Sequence, residues 1–132
     1  MEVLTPGSEG STFGGYPLAS VVGTYAIKVL IEEQLATNAN IQGQYLMTHL
    51  NSLMDDFPDK IKEVRGKGLL TAFEMHDDPK LDGHAVSVGL LNQGVYAKET
   101  HHTTVRLAPA LTINKNQIDS LVSAIRQVIK DL

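Results

Sequence analysis

The sequence predicts an α+β domain of two layers, in which helices pack against a small, mostly antiparallel sheet. Three observations lead to this fold class. Apolar residues recur at helical spacing near both ends of the chain, short apolar runs in the middle have the length of strands, and glycine or proline separates these segments. Their order is helix, helix, strand, strand, helix, strand, strand, helix.

Two helices are predicted before any strand. In the first, which starts at Pro17 and ends near Leu35, apolar residues fall at i, i+3, i+4, i+7 and i+8. Thr37 and Asn38 are suitable caps for the second helix, which Pro58 should terminate. Its apolar residues also keep helical spacing: Leu46, Leu50, Leu53, Met54 and Phe57.

The next segment is predicted to form two strands and a short helix. Residues 61–64 and 69–75 are strands on either side of a bend or bulge at 65–68, where two glycines occur. Gly94 is expected directly after the C-terminus of the helix. The apolar residues of that helix include Leu81, Ala85 and Val88.

Two more strands are predicted before the last helix, at residues 95–98 and 103–108. The second must end by Pro109, because proline has no N–H to donate to a neighbouring strand. His101 and His102 therefore lie in the connecting turn.

The last helix has the clearest start. Asn114 can cap it with Gln117 at the third position, and Ile113 and Ile118 can contact each other across that start. Its apolar stripe is Ile118, Leu121, Val122, Ile125, Ile129 and Leu132.

Composition limits the possible functions. The chain has 132 residues, a formal net charge of −4 and no block of Lys or Arg, so we expect one core and no binding to nucleic acid or anionic lipid. No apolar run is long enough to span a bilayer, which predicts a cytoplasmic protein. The absence of cysteine excludes disulfides and thiol nucleophiles.

The first sixteen residues are predicted to be a loop, since they contain four of the eleven glycines. Ser11 and Thr12 lie among these glycines directly before a helix, an arrangement that suits a phosphate group. A flexible leader with a turn is the alternative, and the spacing matches neither the P-loop nor the dinucleotide motif.

Arg106 is a second candidate, because it is a permanent cation in an otherwise apolar strand. Its guanidinium could form a bidentate contact with a carboxylate. Alternatively, the strand is half exposed and Arg106 simply lies on the solvated side.

Other polar groups are weaker candidates. His101, His102 and Glu99 could imitate a metal site, but adjacent residues point in different directions, so we expect no metal. Arg65 and Lys67 could bind an anion, although a solvated bend explains them as well.

Five short motifs, in order and at consistent spacing, resemble the class III pyridoxal-phosphate aminotransferases, and ornithine aminotransferases most of all. They cover almost the whole chain. The motifs are Leu4-Thr5-Pro6-Gly7, Gly10-Ser11-Thr12-Phe13-Gly14-Gly15 with Pro17-Leu18-Ala19, Val64-Arg65-Gly66-Lys67-Gly68-Leu69, Ala97-Lys98-Glu99-Thr100-His101 and Val105-Arg106-Leu107-Ala108-Pro109.

The resemblance implies the small domain of the type I pyridoxal-phosphate transferase fold, with residues 1–16 as a phosphate-contacting loop and 17–132 as a C-terminal small domain led by a long linking helix. It implies that Thr12, helped by Ser11, contacts the cofactor phosphate of a neighbouring subunit in a homodimer. It also implies that Arg106 binds a substrate carboxylate or pairs with a glutamate of the large domain. Residues 1–16 are then expected to be mobile or exchanged between chains without that cofactor.

The resemblance implies transfer of the δ-amino group of ornithine to 2-oxoglutarate. The family uses for this reaction a lysine that lies upstream of the glycine-rich loop. None of the eight lysines here occupies that position, so we expect no catalysis by this chain alone. The resemblance thus implies the C-terminal portion of an aminotransferase; the alternative is a non-catalytic dimerisation or interaction module derived from one.

Two residues depart from the family pattern. Glu9 stands where the family usually has histidine, and Tyr16 stands where it has asparagine. Glutamate repels a phosphate, which weakens the predicted role of Thr12. Tyrosine cannot cap the following helix, and losing a good cap costs about 1 kcal/mol.

Overall fold

The computed structural model describes residues 7–78 and 82–132. Leu81 of the predicted third helix and residues 4–6 of the first motif lie outside the described residues. The chain divides into two compact units, Met1–Leu35 and Ala36–Leu132. Within the described ranges, no helix combines the length and the hydropathy needed to cross a membrane.

The first unit contains helix α1, Pro17–Glu32. Proline is well suited to the first helical position, where its missing N–H is not needed. The N–H of Glu33 donates to the carbonyl of Val29 at 2.9 Å, and Gln34 has a left-handed φ of 51° that ends the helix. The helix predicted from Pro17 is confirmed, with an end slightly earlier than Leu35.

The remaining elements follow in the predicted order. They form a four-stranded sheet with the strand order β1-β2-β4-β3, in which every neighbouring pair is antiparallel. The α+β fold is therefore confirmed. The elements are α2 (Leu35–Asp56), β1 (Ile61–Lys67), β2 (Leu70–Met75), α3 (Gly83–Asn92), β3 (Lys98–Thr100), β4 (Thr104–Leu107) and α4 (Lys115–Asp131).

The predicted start of α2 is wrong. The helix begins at Leu35, so Thr37 and Asn38 lie inside it. The amide of Asn38 instead donates to the carbonyls of Leu111 at 2.6 Å and Ile113 at 3.1 Å. A polar residue that looks like a cap thus fixes the segment before α4 to α2.

The strand boundaries also differ from the prediction, most clearly at the end of β1 and at the start of β3. β1 continues through Lys67, so the bend is confined to the two residues before Leu70. β3 begins at Lys98 rather than at residue 95. The N–H of Val95 donates to the carbonyl of Leu90 at 2.9 Å, and this bond closes the end of α3 before the strand can start.

One hydrophobic core joins the helices of the second unit to one face of the sheet. Val128 belongs to it, whereas Leu132, placed in the α4 stripe by the sequence, is 46% exposed. The predicted Asn114–Gln117 capping box is present, with bonds of 3.1 and 3.0 Å. The largest fully buried core residues are Leu46, Leu50, Leu53, Phe73, Met75, Val86, Leu90, Val105, Ile118, Ile125 and Ile129.

The β1–β2 hairpin is held close to α2 by two glycines. Gly68, in the turn, has a left-handed φ of 57°. A Cβ added to Gly43 of α2 would overlap the backbone of Gly68. Only glycine at position 43 therefore allows the hairpin turn to approach the helix this closely.

The opposite side of the sheet is here called the outer face. Side chains alternate along a strand, so the residues between the buried Phe73, Val105 and Leu107 point away from the core. By strand register the outer face comprises Glu63, Arg65, Lys67, Leu70, Ala72, Glu74, Lys98, Thr100, Thr104 and Arg106.

Candidate functional site

The glycine-rich loop presents both predicted hydroxyl groups to solvent. Ser11 and Thr12 are exposed, and the N–H of Gly14 donates to Oγ of Ser11 at 3.0 Å. Because Oγ of Ser11 acts there as an acceptor, its own proton remains available. Thr12 makes no hydrogen bond within the described part of the chain. Both hydroxyls can therefore donate to an external anion.

The surroundings of the loop reflect the two departures noted in the sequence. Tyr16 occupies the N-cap position of α1 without a side-chain cap, as expected for tyrosine. Between residues 7 and 16 the only charged side chain is that of Glu9. The loop thus offers hydrogen-bond donors but no positive charge of its own.

Arg106 lies on the outer face, in the middle of β4. It pairs with Ala72 of β2 on one side and with Lys98 of β3 on the other. Val105 and Leu107 are buried while Arg106 is exposed, so the strand alternates as in the second interpretation of its sequence. Its guanidinium faces solvent and, among the described residues, has no acidic partner.

A network of ion pairs occupies the neighbouring part of the outer face. Nζ of Lys62 contacts Oε1 of Glu74 at 2.8 Å, and Nη1 of Arg65 contacts Oε2 of the same carboxylate at 2.7 Å. Arg65 also reaches Glu63 at 3.1 Å and Oγ1 of Thr104 at 3.4 Å. Arg65 is therefore a fixed member of this network and not a solvated bend residue.

These contacts shift the pKa values of Glu74 and Lys62. Hydrogen bonds from Lys62 and then from Arg65 hold the pKa of Glu74 below its ordinary value of 4.5. The hydrogen bond to Glu74 in turn raises the pKa of Lys62. Glu74 is thus an anion at neutral pH, and its charge is already compensated.

The β3–β4 turn contains the two histidines that were considered as metal ligands. His101 and His102 are exposed, with left-handed φ angles of 54° and 63°. Nδ1 of His84 contacts Oε2 of Glu99 at 3.1 Å, on the helix side of the sheet. Across residues 7–78 and 82–132, no three His, Asp or Glu side chains are close enough to hold a metal ion.

Sequence reasoning did not anticipate the outer face as a unit. Ser11 and Thr12 belong to the first unit and Arg106 to the second. The row Arg65, Ala72, Arg106 and Lys98 crosses all four strands and joins the β1–β2 hairpin to the distant β3–β4 hairpin. It can be recognised only once the strand order and register are known. The basic residues of the third, fourth and fifth motifs were the only available sign of it.

Comparison with known proteins gives consistent results. A family model described as "Aminotransferase class-III" matches residues 1–129. The chain is 41% identical to "Ornithine aminotransferase 1" of Staphylococcus aureus over 133 aligned residues, which cover 99% of this chain and 32% of that protein. It is 38% identical to the mitochondrial ornithine aminotransferase of Arabidopsis thaliana, over 96% of this chain and 27% of that one.

Solved structures show the same relationship. The ornithine delta-aminotransferase of Plasmodium falciparum matches with a TM-score of 0.86 and 38% identity, over 99% of this chain and 34% of its own. An acetylornithine aminotransferase from Elizabethkingia anophelis matches with a TM-score of 0.84 and 37% identity, over 100% of this chain and 33% of its own. A lysine aminotransferase of M. tuberculosis has a TM-score of 0.84 and 28% identity.

The chain spans about a third of the length of these relatives. Their names differ in the amino donor, whereas the class of enzyme is the same. The sequence motifs, the two-layer α+β fold and the family match over residues 1–129 agree with one another. This chain belongs to the class III aminotransferase family.

Proposed function

We propose that the chain is the C-terminal portion of a pyridoxal-phosphate-dependent aminotransferase that transfers the δ-amino group of ornithine to 2-oxoglutarate. The observation that carries this proposal is the 41% identity to an ornithine aminotransferase over nearly the whole chain. The cofactor would act as the electron sink that stabilises negative charge at the substrate carbon. The residues of this chain would bind the cofactor phosphate and would bind and orient the substrate.

Ser11 and Thr12 are proposed to hold the cofactor phosphate. Two hydroxyl protons are available in the loop, and α1 directly follows it with its positive dipole end. These donors fit a phosphate. Because residues 7–16 contain no Lys or Arg, the cation that compensates the phosphate charge must come from elsewhere. The family resemblance assigns this contact to the neighbouring subunit of a homodimer, and we propose the same arrangement here.

Arg106 is proposed to bind a substrate carboxylate. A guanidinium presents a planar fork of donors that matches the two oxygens of a carboxylate. The exposed position of Arg106, without an acid beside it in the described ranges, supports this role. Acid groups of the outer face that could have neutralised it are paired with Lys62 and Arg65.

A chimera tests the proposed function directly. Residues 1–132 would replace the corresponding C-terminal third of the Staphylococcus aureus ornithine aminotransferase. We expect the chimera to bind pyridoxal phosphate and to transaminate ornithine. We also expect Thr12→Val to weaken cofactor binding. Thr24→Val is the control with a smaller effect, because the hydroxyl of Thr24 donates to the carbonyl of Ser20 within α1. A chimera that folds and binds cofactor but does not act on ornithine would contradict the proposed substrate.

The isolated chain provides the complementary test. We expect no saturable trapping of pyridoxal phosphate on any lysine after borohydride reduction, as read by mass spectrometry. Lys60, for example, already donates to the carbonyl of Ile129 at 2.6 Å. Stoichiometric trapping at one lysine, discharged by ornithine, would show instead that the chain is a minimal enzyme.

A further inference from the structure

Two cations lie directly opposite each other on the outer face. Lys98 of β3 and Arg106 of β4 are register partners in an antiparallel pair. Side chains in such a pair have Cβ atoms about 5 Å apart and point to the same side of the sheet. Both are exposed. Like charges in this position destabilise a sheet, so the pair needs a reason other than folding.

The acid nearest to Lys98 along the chain does not compensate this charge. Glu99 is the register partner of the buried Val105, so it faces the helix side of the sheet. There its Oε2 contacts Nδ1 of His84 at 3.1 Å. Glu99 is therefore turned away from Lys98.

The acids of the outer face are also engaged. Glu74 accepts from both Lys62 and Arg65, and Glu63 contacts Arg65. Within residues 7–78 and 82–132, neither Lys98 nor Arg106 takes part in an ion pair. Both carboxylates of the outer face, those of Glu63 and Glu74, are therefore paired with other cations.

We infer that Lys98 and Arg106 together form one binding site for the carboxylate of a small organic acid. The guanidinium of Arg106 supplies the two-pronged contact, and the ammonium of Lys98 supplies a second, flexible point charge. The inference rests on the role proposed for Arg106 and adds Lys98 as a specificity-determining residue. A carboxylate bound between them offsets the repulsion of the two cations.

The test is a titration of the 132-residue chain with glutarate, followed through the backbone amide signals of Lys98 and Arg106 by NMR. We expect Lys98→Met to raise the dissociation constant roughly fivefold, the effect of losing one partly exposed ion pair. Lys98→Arg should keep the affinity of the unchanged chain. Lys130→Met is the matched control, because it removes the same charge from an exposed position in the last turn of α4, on a different element.

The outcomes separate this inference from the role of Arg106 itself. If Arg106→Met abolishes binding while Lys98→Met weakens it no more than Lys130→Met, Lys98 has no part and Arg106 binds alone. If Arg106→Met has no effect either, the proposed substrate contact fails as well. A urea midpoint for Lys98→Met no lower than that of the unchanged chain, together with weaker binding, would show a binding role rather than a structural one.

Discussion

At the scale of single residues, the central feature is a carboxylate held by two cations. Glu74 has a side chain that is only 19% exposed and receives hydrogen bonds from Lys62 and Arg65. Its lowered pKa means that the folded state binds the proton more weakly than the unfolded state. The network therefore stabilises the fold wherever Glu74 is ionised.

The pH dependence of unfolding tests this network. A group with a depressed folded pKa contributes stability that is present above its unfolded pKa, near 4.5, and is lost as the pH falls through the folded pKa. We expect Glu74→Gln to unfold at lower urea than the unchanged chain at pH 7, and the difference to vanish in acid. Glu63→Gln is the control, since Glu63 is 51% exposed and contacts only Arg65. An equal difference at both pH values would exclude the ionic explanation.

The role of a polar side chain was predicted correctly where its hydrogen-bond partner is close in sequence. The Asn114–Gln117 capping box spans three residues and was correctly predicted, as was the missing cap at Tyr16. Asn38 was wrongly assigned as a cap, because its partners at 111 and 113 are more than seventy residues away. Hydrogen bonds between neighbouring residues can be predicted from the sequence, whereas bonds to residues that are distant in sequence cannot.

At the scale of elements, the decisive contact is between α2 and the β1–β2 turn. Glycine within a helix normally costs stability, so replacement by alanine usually gains up to about 1 kcal/mol. Gly43 should show the opposite sign, because its new methyl group would overlap the backbone of Gly68. The contact has no signature in the spacing of the sequence, which explains why it was not predicted.

We expect Gly43→Ala to lower the free energy of unfolding by about 1–3 kcal/mol, the usual cost of an added group without space. Urea denaturation followed by circular dichroism measures this change. Gly23→Ala in α1 is the matched control, since a Cβ there meets no atom within 4 Å. The helicity of the Gly23→Ala variant should rise or stay the same. A neutral Gly43→Ala would mean that the turn can move away from α2 at no cost.

Element boundaries show why strands were harder to predict than helices. The periodicity of α4 fixes its extent over five turns, but β3 has only three residues and starts after the closed end of α3. β1 runs through Gly66, which was predicted to lie within a bend at 65–68. A strand of this length is defined by the neighbour it pairs with, and that neighbour lies elsewhere in the chain.

At the scale of the whole molecule, every described residue of the hydrophobic core lies in the second unit. Its buried residues run from Leu46 to Ile129, with partly buried residues added from Ala39 onward. α1 contributes no buried residue to it. The second unit thus contains the complete set of side chains that form this core.

We expect a chain of residues 36–132 to unfold cooperatively, with the same urea midpoint as residues 1–132. Leu50→Ala in the longer chain is the reference for a damaged core, with an expected loss of about 2–5 kcal/mol. Circular dichroism at increasing urea compares the three chains. A midpoint for residues 36–132 as low as that of Leu50→Ala would show that the first unit stabilises the core.

The sequence could predict the fold class because its element order has few compact solutions, and this order was confirmed. The candidate residues Ser11, Thr12 and Arg106 were proposed from the sequence, and their roles remain predictions. The arrangement of the residues around Arg106 was not predicted. Arg65, Arg106 and Lys98 come from three separate motifs and meet in one row only through the strand order β1-β2-β4-β3. A row of this kind depends on which strands are neighbours, information that no single motif contains.

The three-residue turn between β3 and β4 has a consequence for how this family can vary. Thr100 pairs with Thr104, and the left-handed His101 and His102 close the turn between them. Side chains alternate with a period of two, so one inserted residue in this turn would rotate Arg106 to the core and bring Val105 or Leu107 to the surface. The turn residues must therefore accept left-handed φ angles, and a change in their number by one must be absorbed by a compensating bulge or must abolish the cationic pair.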